Sequence, residues 1–107
     1  MELFIDTTEY GKIKLELREL GRLVGRATKN TPKISESLVS QIDNLLGKHK
    51  IKLEDLENIA VNRGPGGFSS TRTGVATANA LNFALGIKNI VLPKYDKAPN
   101  ITKPKKS

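Results

Sequence analysis

Cysteine is absent from this 107-residue sequence, and histidine occurs once. The lack of cysteine excludes disulfides, thiol nucleophiles and thiolate zinc sites. Aromatic residues make up 5%, too few for an extended surface that stacks on single-stranded RNA. No apolar run approaches the roughly 18 residues of a membrane span, and the first residues lack the basic and small-residue segments of a signal peptide. These absences favour a cytoplasmic protein without membrane attachment.

The single histidine argues against a metallopeptidase site. Such a site typically takes two histidines one helical turn apart together with a carboxylate. His49 lies between Lys48 and Lys50, and two neighbouring ammonium groups disfavour a bound cation. We therefore expect His49 to be exposed in a loop and the chain to hold no metal ligands.

The positive charge is concentrated at the C-terminal end. The chain has a net charge of +7, and residues 94–107 hold five lysines and one aspartate, a net +4. A Pro- and Lys-rich segment cannot bury enough apolar surface to order itself, which predicts a disordered tail. A weak contact with RNA phosphates is the alternative.

The first third of the chain predicts three strands in an antiparallel meander. Residues 3–5 are apolar and end at a polar turn, as a buried central strand does. Residues 12–18 alternate between apolar and charged side chains, the pattern of a half-buried strand. A turn at residues 19–21 then leads into a returning strand at residues 22–27.

Two helices and two further strands are predicted after the meander. Thr31 and Pro32 are typical of a helix start and Gly47 of its end. Residues 59–61 and 90–92 are short apolar strands, and the second helix follows Gly74 and stops at Gly86. The order is β-β-β-α-β-α-β, and its strand–helix–strand units predict parallel pairing. The apolar stripes of the two helices comprise Ile34, Leu38, Ile42, Leu45 and Leu46 in the first, and Val75, Ala78, Leu81 and Leu85 in the second.

A glycine-rich segment lies between the fourth strand and the second helix. Its glycines leave backbone N–H groups accessible beside a helix N-terminus, an arrangement that favours an anion. The spacing does not fit a P-loop, because no Lys-Ser/Thr pair follows the last glycine of the loop, and it does not fit the dinucleotide fingerprint. Chemistry alone leaves two interpretations open, an anion site and a tight connection without a ligand. The relevant loop residues are Gly64, Gly66, Gly67, Ser69, Ser70 and Arg72.

The same segment resembles a family signature. Residues 64–74 are similar to the G-P-G-S-F-T-G-x-R-x-G motif of the TsaB family, also called YeaZ. Residues 3–8 resemble the opening strand of that family and its Asp-Thr-Ser/Thr turn. The resemblance extends from residue 1 to about residue 92. The chain departs from the motif at Gly67, Ser69 and Ser70.

The resemblance implies a fold and a function. The expected fold is one actin-like, ribonuclease-H-like α/β lobe over residues 1–93, with a five-stranded mixed sheet, followed by the tail at residues 94–107. The expected function is that of a non-catalytic subunit that supports TsaD in threonylcarbamoyl transfer to adenosine of tRNA. TsaE joins such a complex, and the contact with tRNA is indirect.

Two sets of site residues follow. In the partner-subunit interpretation, the helices meet TsaD or a second copy in a homodimer through Leu38, Ile42, Val75, Leu81, Phe83 and Leu85. No cofactor is expected. In the alternative, Asp6 and Thr7 join the glycine-rich loop to hold ATP and Mg²⁺. Local hydrogen bonds within the turn are the simpler explanation for Asp6 and Thr7.

Overall fold

The computed structural model describes residues 1–86, which form one mixed sheet covered by two helices. The sheet has the order β3-β2-β1-β4. Its strands are β1 (Glu2–Asp6), β2 (Lys12–Glu19), β3 (Arg22–Asn30) and β4 (Asn58–Val61). The helices are α1 (Ile34–Lys48) and α2 (Phe68–Ala84), and a 3₁₀ turn, Leu53–Asp55, precedes β4.

The predicted meander is confirmed. β1 pairs antiparallel with β2, and β2 pairs antiparallel with β3. The β2–β3 turn places Leu20 and Gly21 at φ values of 53° and 79°, the two successive positive φ values of a type I′ hairpin. A register shift beside Leu17 and Arg18 leaves Val24 without a partner in β2, which makes Val24 the extra residue of a β-bulge.

Parallel pairing is confirmed for the strand that follows α1. β4 lies parallel to β1, with Leu3 opposite Ile59 and Ile5 opposite Val61. The carboxyl ends of these two strands therefore meet at one edge of the sheet, where open α/β sheets place their ligand sites. The Asn62 N–H extends the pairing by donating to the Ile5 carbonyl at 2.8 Å.

The core lies between one face of the sheet and both helices. Alternation places every second residue of a strand on this face, and the helical stripe residues pack onto it. Asn82 of α2 is also buried there; its amide bonds both backbone groups of Ile59, at 3.2 and 2.9 Å. The buried apolar residues from the strands and helices are Leu3, Ile5, Ile13, Leu15, Leu17, Ile59, Ile34, Leu38, Ile42, Leu45, Leu46, Val75 and Ala78.

Phe4 lies on the opposite face of the sheet, although residues 3–5 together predict a buried strand. Its neighbours Leu3 and Ile5 are fully buried, whereas Phe4 is half-buried beneath the Arg18 guanidinium, 5.0 Å from the ring centroid. An apolar run of three residues still alternates its side chains between two faces. One aromatic ring is therefore presented on the outer sheet face.

The predicted ends of α1 are wrong by one to three residues. The Thr31 hydroxyl accepts a hydrogen bond from the Lys33 N–H at 3.0 Å, so it forms a turn before the helix and does not cap it. Gly47 lies inside α1, and His49 takes the C-cap position. The chain reverses instead at Lys50, whose φ is 57°.

The start of α2 is also corrected. The sequence predicts a loop up to Gly74, but α2 begins at Phe68 with Gly67 as its N-cap. Ser69, Ser70 and Arg72 therefore occupy the first turns of the helix rather than a loop. Helix formation is consistent with the Thr71 N–H donating to the Gly67 carbonyl at 3.0 Å. Gly86, with φ of 78°, follows the helix end as expected.

The remaining sequence predictions fall outside the described residues. These are the fifth strand at residues 90–92 and the disordered tail at residues 94–107. The structure thus describes four strands of the predicted mixed α/β sheet. Within residues 1–86, neither helix has the length and apolar character required to cross a bilayer.

Candidate functional site

A polar cluster forms where β1 and β4 end. The Asp6 carboxylate accepts bonds from the Thr8 N–H at 3.0 Å and the Thr8 hydroxyl at 2.7 Å. Its other oxygen accepts from the Asn62 amide at 3.2 Å, and the Asn62 side-chain oxygen accepts from the Gly64 N–H at 3.1 Å. The cluster therefore ties the end of β1 to the start of the glycine-rich loop.

The cluster holds Asp6 in its ionised form. Burial alone raises the pKa of a carboxyl, but the Thr8 and Asn62 hydrogen bonds and the charge of Lys14 outweigh it, and the pKa of Asp6 lies below its ordinary value. The local bonds expected for Asp6 are thus present. They occupy both carboxylate oxygens.

Thr7 makes a long-range contact that the sequence does not predict. It is fully buried, and its hydroxyl donates to the Ser70 carbonyl in the first turn of α2 at 2.6 Å. Gly74 lies one turn further along α2, and a Cβ at this position would collide with the Thr7 hydroxyl. Gly74 therefore permits the close approach of α2 to the end of β1.

The structure explains two of the loop glycines in different ways. Gly64 has φ of 106°, a conformation that side chains rarely adopt. Gly66 packs against Thr8, where an added Cβ would stand 2.5 Å from the Thr8 Cβ. The Gly67 N–H donates to the Thr8 carbonyl at 3.0 Å. Backbone conformation and packing thus explain these glycines without a ligand, which is the second of the two interpretations that the sequence leaves open.

A groove also lies at the N-terminal ends of both helices. Its volume is ≈ 540 Å³, within the range of small-molecule sites. Helix N-termini offer unpaired N–H groups and a positive dipole end, so the groove could accept an anion. Its lining includes Tyr10, Lys33, Ser35, Glu36, Gly67, Ser69, Ser70 and Thr73.

The predicted nucleotide residues do not all meet in this groove. Ser69, Ser70 and Gly67 line it, whereas Arg72 lines an adjoining depression that shares Ser69 and Thr73 with the groove. Neither Asp6 nor Thr7 lines the groove. The Asp6 carboxylate and the loop hydroxyls therefore do not line one groove, although the Thr7 hydroxyl bonds the carbonyl of groove-lining Ser70.

His49 is not in the exposed loop that the sequence predicts. It caps the C-terminus of α1 and is half-buried, and its ring lies so close to Gly25 of β3 that a Cβ there would overlap it. His49 thus packs α1 against the sheet. Among residues 1–86, no three potential metal ligands lie together.

The predicted interface residues differ widely in exposure. Leu38, Ile42 and Val75 are at most 4% exposed, and they pack in the core of this chain. Ile42 nevertheless lines a groove on the surface, and the assignment of these three residues to an interface stays a prediction. Leu81 and Leu85 are half-buried against the same core. Phe83 is 85% exposed and remains available to a partner.

A second groove borders the helical surface. Its volume is ≈ 400 Å³, and it lies between α1, the 3₁₀ turn and Leu81 of α2. Val39, which the sequence analysis does not single out, lines it and is 62% exposed. Contiguous apolar patches are typical of interaction surfaces, and Val39 and Leu81 line this groove together.

Comparison with known proteins identifies the family. A sequence model of TsaD, described as tRNA N6-adenosine threonylcarbamoyltransferase, matches residues 29–95, more than half of the chain. The chain belongs to the TsaD family.

Solved structures place it near YeaZ within that family. YeaZ from Pseudomonas aeruginosa is 27% identical with a TM-score of 0.71, over 79% of this chain and 39% of that protein. An uncharacterised protein with similarity to peptidase YeaZ, also from Pseudomonas aeruginosa, is 25% identical with a TM-score of 0.74, over 86% and 42% of the two chains. The family member is thus YeaZ-like (TsaB-like), with a mixed α/β sheet, and it spans about two fifths of these structures' length.

Two residues of the polar cluster escaped the sequence analysis. Thr8 supplies two bonds to Asp6, and Asn62 bridges Asp6 to Gly64. A signal for Asn62 was present, because it directly follows β4 as Asp6 ends β1, and parallel strands end at the same sheet edge. No comparable signal in the sequence indicates that Asn82 is buried, because a polar residue beside an apolar helical stripe is usually exposed.

Proposed function

We propose that this YeaZ-like family member is a non-catalytic subunit that binds the threonylcarbamoyltransferase TsaD and supports t6A synthesis in tRNA. The family match and the YeaZ-like structures support this proposal. The observation that carries it is the exposed Phe83 on α2, since an aromatic side chain this accessible is suited to anchoring a partner. TsaE and tRNA would join through TsaD.

The proposed lobe is actin-like and extends over residues 1–93. In this assignment residues 90–92 add a fifth strand, and residues 94–107 form a separate basic tail. The four strands and two helices of residues 1–86 are compatible with it. The assignment as a non-catalytic subunit rests on the sequence, whose one histidine is flanked by lysines.

A supporting subunit acts by differential binding. It activates a partner only if it binds the competent state of that partner more tightly than the other states. Contacts around Phe83 and the groove beside Val39 would supply that difference. The transfer chemistry itself would remain with TsaD.

Light scattering coupled to size-exclusion chromatography tests the proposal. The full chain is measured alone and mixed with TsaD from the same genome. A particle with the summed mass of one chain and one TsaD is the expected result. A homodimer of this chain that ignores TsaD would exclude the supporting role and favour self-association through the helices.

A phosphate-binding function is the second candidate, favoured by the groove at the two helix N-termini. Titration with ATP and Mg²⁺ tests it. If the groove binds phosphate, Lys33→Glu should abolish binding, because Lys33 lines the groove and reversal of its charge repels an anion. Lys52→Glu is the matched control, since Lys52 lines the other groove.

A further inference from the structure

β3 forms an exposed edge of the sheet. It pairs with β2 on one side, and no strand within residues 1–86 pairs with its other side. Seven of its nine residues are exposed, and Gly25 and Ala27 are partly exposed. The outward backbone groups of an edge strand can hydrogen-bond an added strand.

The bulge limits where a strand could be added. Because Val24 interrupts the register, the regular part of β3 comprises residues 25–30. Six residues of extended chain span about 20 Å. This length is sufficient for a short peptide segment to form several backbone hydrogen bonds.

The charge of the strand is of one sign. β3 contains Arg22, Arg26 and Lys29 and no carboxylate, and none of the three forms an ion pair within the described chain. Arg26 stands opposite Glu16, but the Glu16 carboxylate is bound by Arg18. Three cations are thus available along the edge.

We propose that the β3 edge binds an extended, acidic segment of a protein partner as an added strand. Backbone hydrogen bonds would fix the register of the added strand. Carboxylates of the partner would meet Arg26 and Lys29 on the two faces of the sheet. The opposing charges would increase both the specificity and the rate of association.

The positive charge of β3 also disfavours other ligands at this edge of the sheet. A second copy of β3 would set three cations against three cations, which opposes self-pairing. Residues 94–107 carry five lysines and one aspartate, so their charge opposes binding to the same edge. Exposed Leu23 and Val24 lie at the start of β3, and exposed Leu20 lies in the turn before it. Such apolar contacts suit a peptide better than an RNA phosphate backbone.

The experiment uses the full chain and a fluorescent nine-residue peptide in which pairs of glutamates alternate with pairs of threonines, so that both faces of the added strand carry carboxylates. Anisotropy should show saturable binding, and Arg26→Glu with Lys29→Glu should weaken it at least about tenfold, because two attractions become repulsions. Lys52→Glu with Arg63→Glu makes the same charge change away from β3, because Arg63 follows β4 on the far side of the sheet, and should leave the affinity within about twofold.

A peptide N-methylated at alternate residues separates backbone pairing from simple charge attraction. Methylation removes the donors that would face β3, so binding should fall at least about tenfold. Equal affinity of the methylated peptide, or no binding of the parent peptide, would overturn the proposal. It would also be overturned if the double variant of β3 merely self-associates, which would show that the cations serve to prevent edge pairing.

Oligouridylate is the competing ligand. If the acidic peptide does not bind, and if RNA binds the wild type but not the β3 double variant, the edge is a nucleic-acid site. That result would exclude the peptide.

Discussion

At the scale of single residues, the close approach of α2 to the end of β1 depends on Gly74. Its missing side chain leaves room for the Thr7 hydroxyl, which bonds the Ser70 carbonyl. We expect Gly74→Ala to destabilise the fold by about 1–3 kcal/mol, because a packed contact must open. Chemical denaturation measures the change.

Gly47→Ala is the matched control. Gly47 also lies inside a helix, but no atom stands within 4 Å of an added Cβ. Alanine there should stabilise the protein by about 0.5–1 kcal/mol through helix propensity. Equal effects of the two substitutions would show that the Thr7 contact does not matter.

The ionised Asp6 predicts a specific dependence of stability on pH. Because its folded pKa is lowered, the unfolded chain takes up the proton first, and the stabilisation is present above the ordinary value of 3.8 and is lost as pH falls below it. Asp6→Asn should therefore be less stable than the wild type at neutral pH, with a difference that shrinks in acid.

Thermal unfolding between pH 2 and pH 7 measures this difference. Asp43→Asn, an exposed substitution on α1, is the control and should follow the wild-type profile. A constant gap between Asp6→Asn and the wild type across the whole range would contradict the assigned role of the carboxylate.

At the scale of the secondary-structure elements, α2 holds β4 through one side chain. Asn82 is 1% exposed, and its amide bonds both backbone groups of Ile59. Asn82→Leu would leave a buried donor and acceptor unpaired, and we expect a loss of about 1–3 kcal/mol. Denaturation and amide hydrogen exchange of Ile59 would report it.

Thr71→Val provides the contrast on the same helix. The Thr71 hydroxyl is buried and has no hydrogen-bond partner within the described residues. Its removal should be neutral or stabilising, because no bond is lost. If both variants lose similar amounts of stability, the loss in Asn82→Leu would reflect a general sensitivity of α2 to substitution and not the loss of the Asn82 hydrogen bonds.

The elements were predictable to different degrees. The strands of the meander and the stripe of α1 follow from periodicity, since burial imposes it directly on the sequence. The starts of both helices were predicted at the wrong residues, because the preference of a residue for the first position of a helix is weak. Thr31 bonds Lys33 in a turn, and Gly67 caps α2 without a side chain. At the site, Asp6 was foreseeable, but the Thr7–Ser70 contact joins residues 63 positions apart.

At the scale of the whole molecule, the family assignment and the fold agree. Most residues of the two helical stripes are buried in the core of this chain, because two helices on one sheet face need those residues for their own packing. Among the described residues, the surface proposed for TsaD is the exposed part of α2 around Phe83 and the groove beside Val39. The proposed supporting function would therefore depend on fewer exposed contacts than the six residues that the sequence predicts.

The most direct test is calorimetric titration of TsaD with the wild-type chain and with Phe83→Asp. We expect the wild type to bind and Phe83→Asp to lose on the order of tenfold or more in affinity, since it removes an exposed aromatic anchor. Leu20→Asp, which charges another exposed apolar residue at the β2–β3 turn, should bind as the wild type does. Unchanged affinity of Phe83→Asp, or no binding by the wild type, would contradict the proposed role.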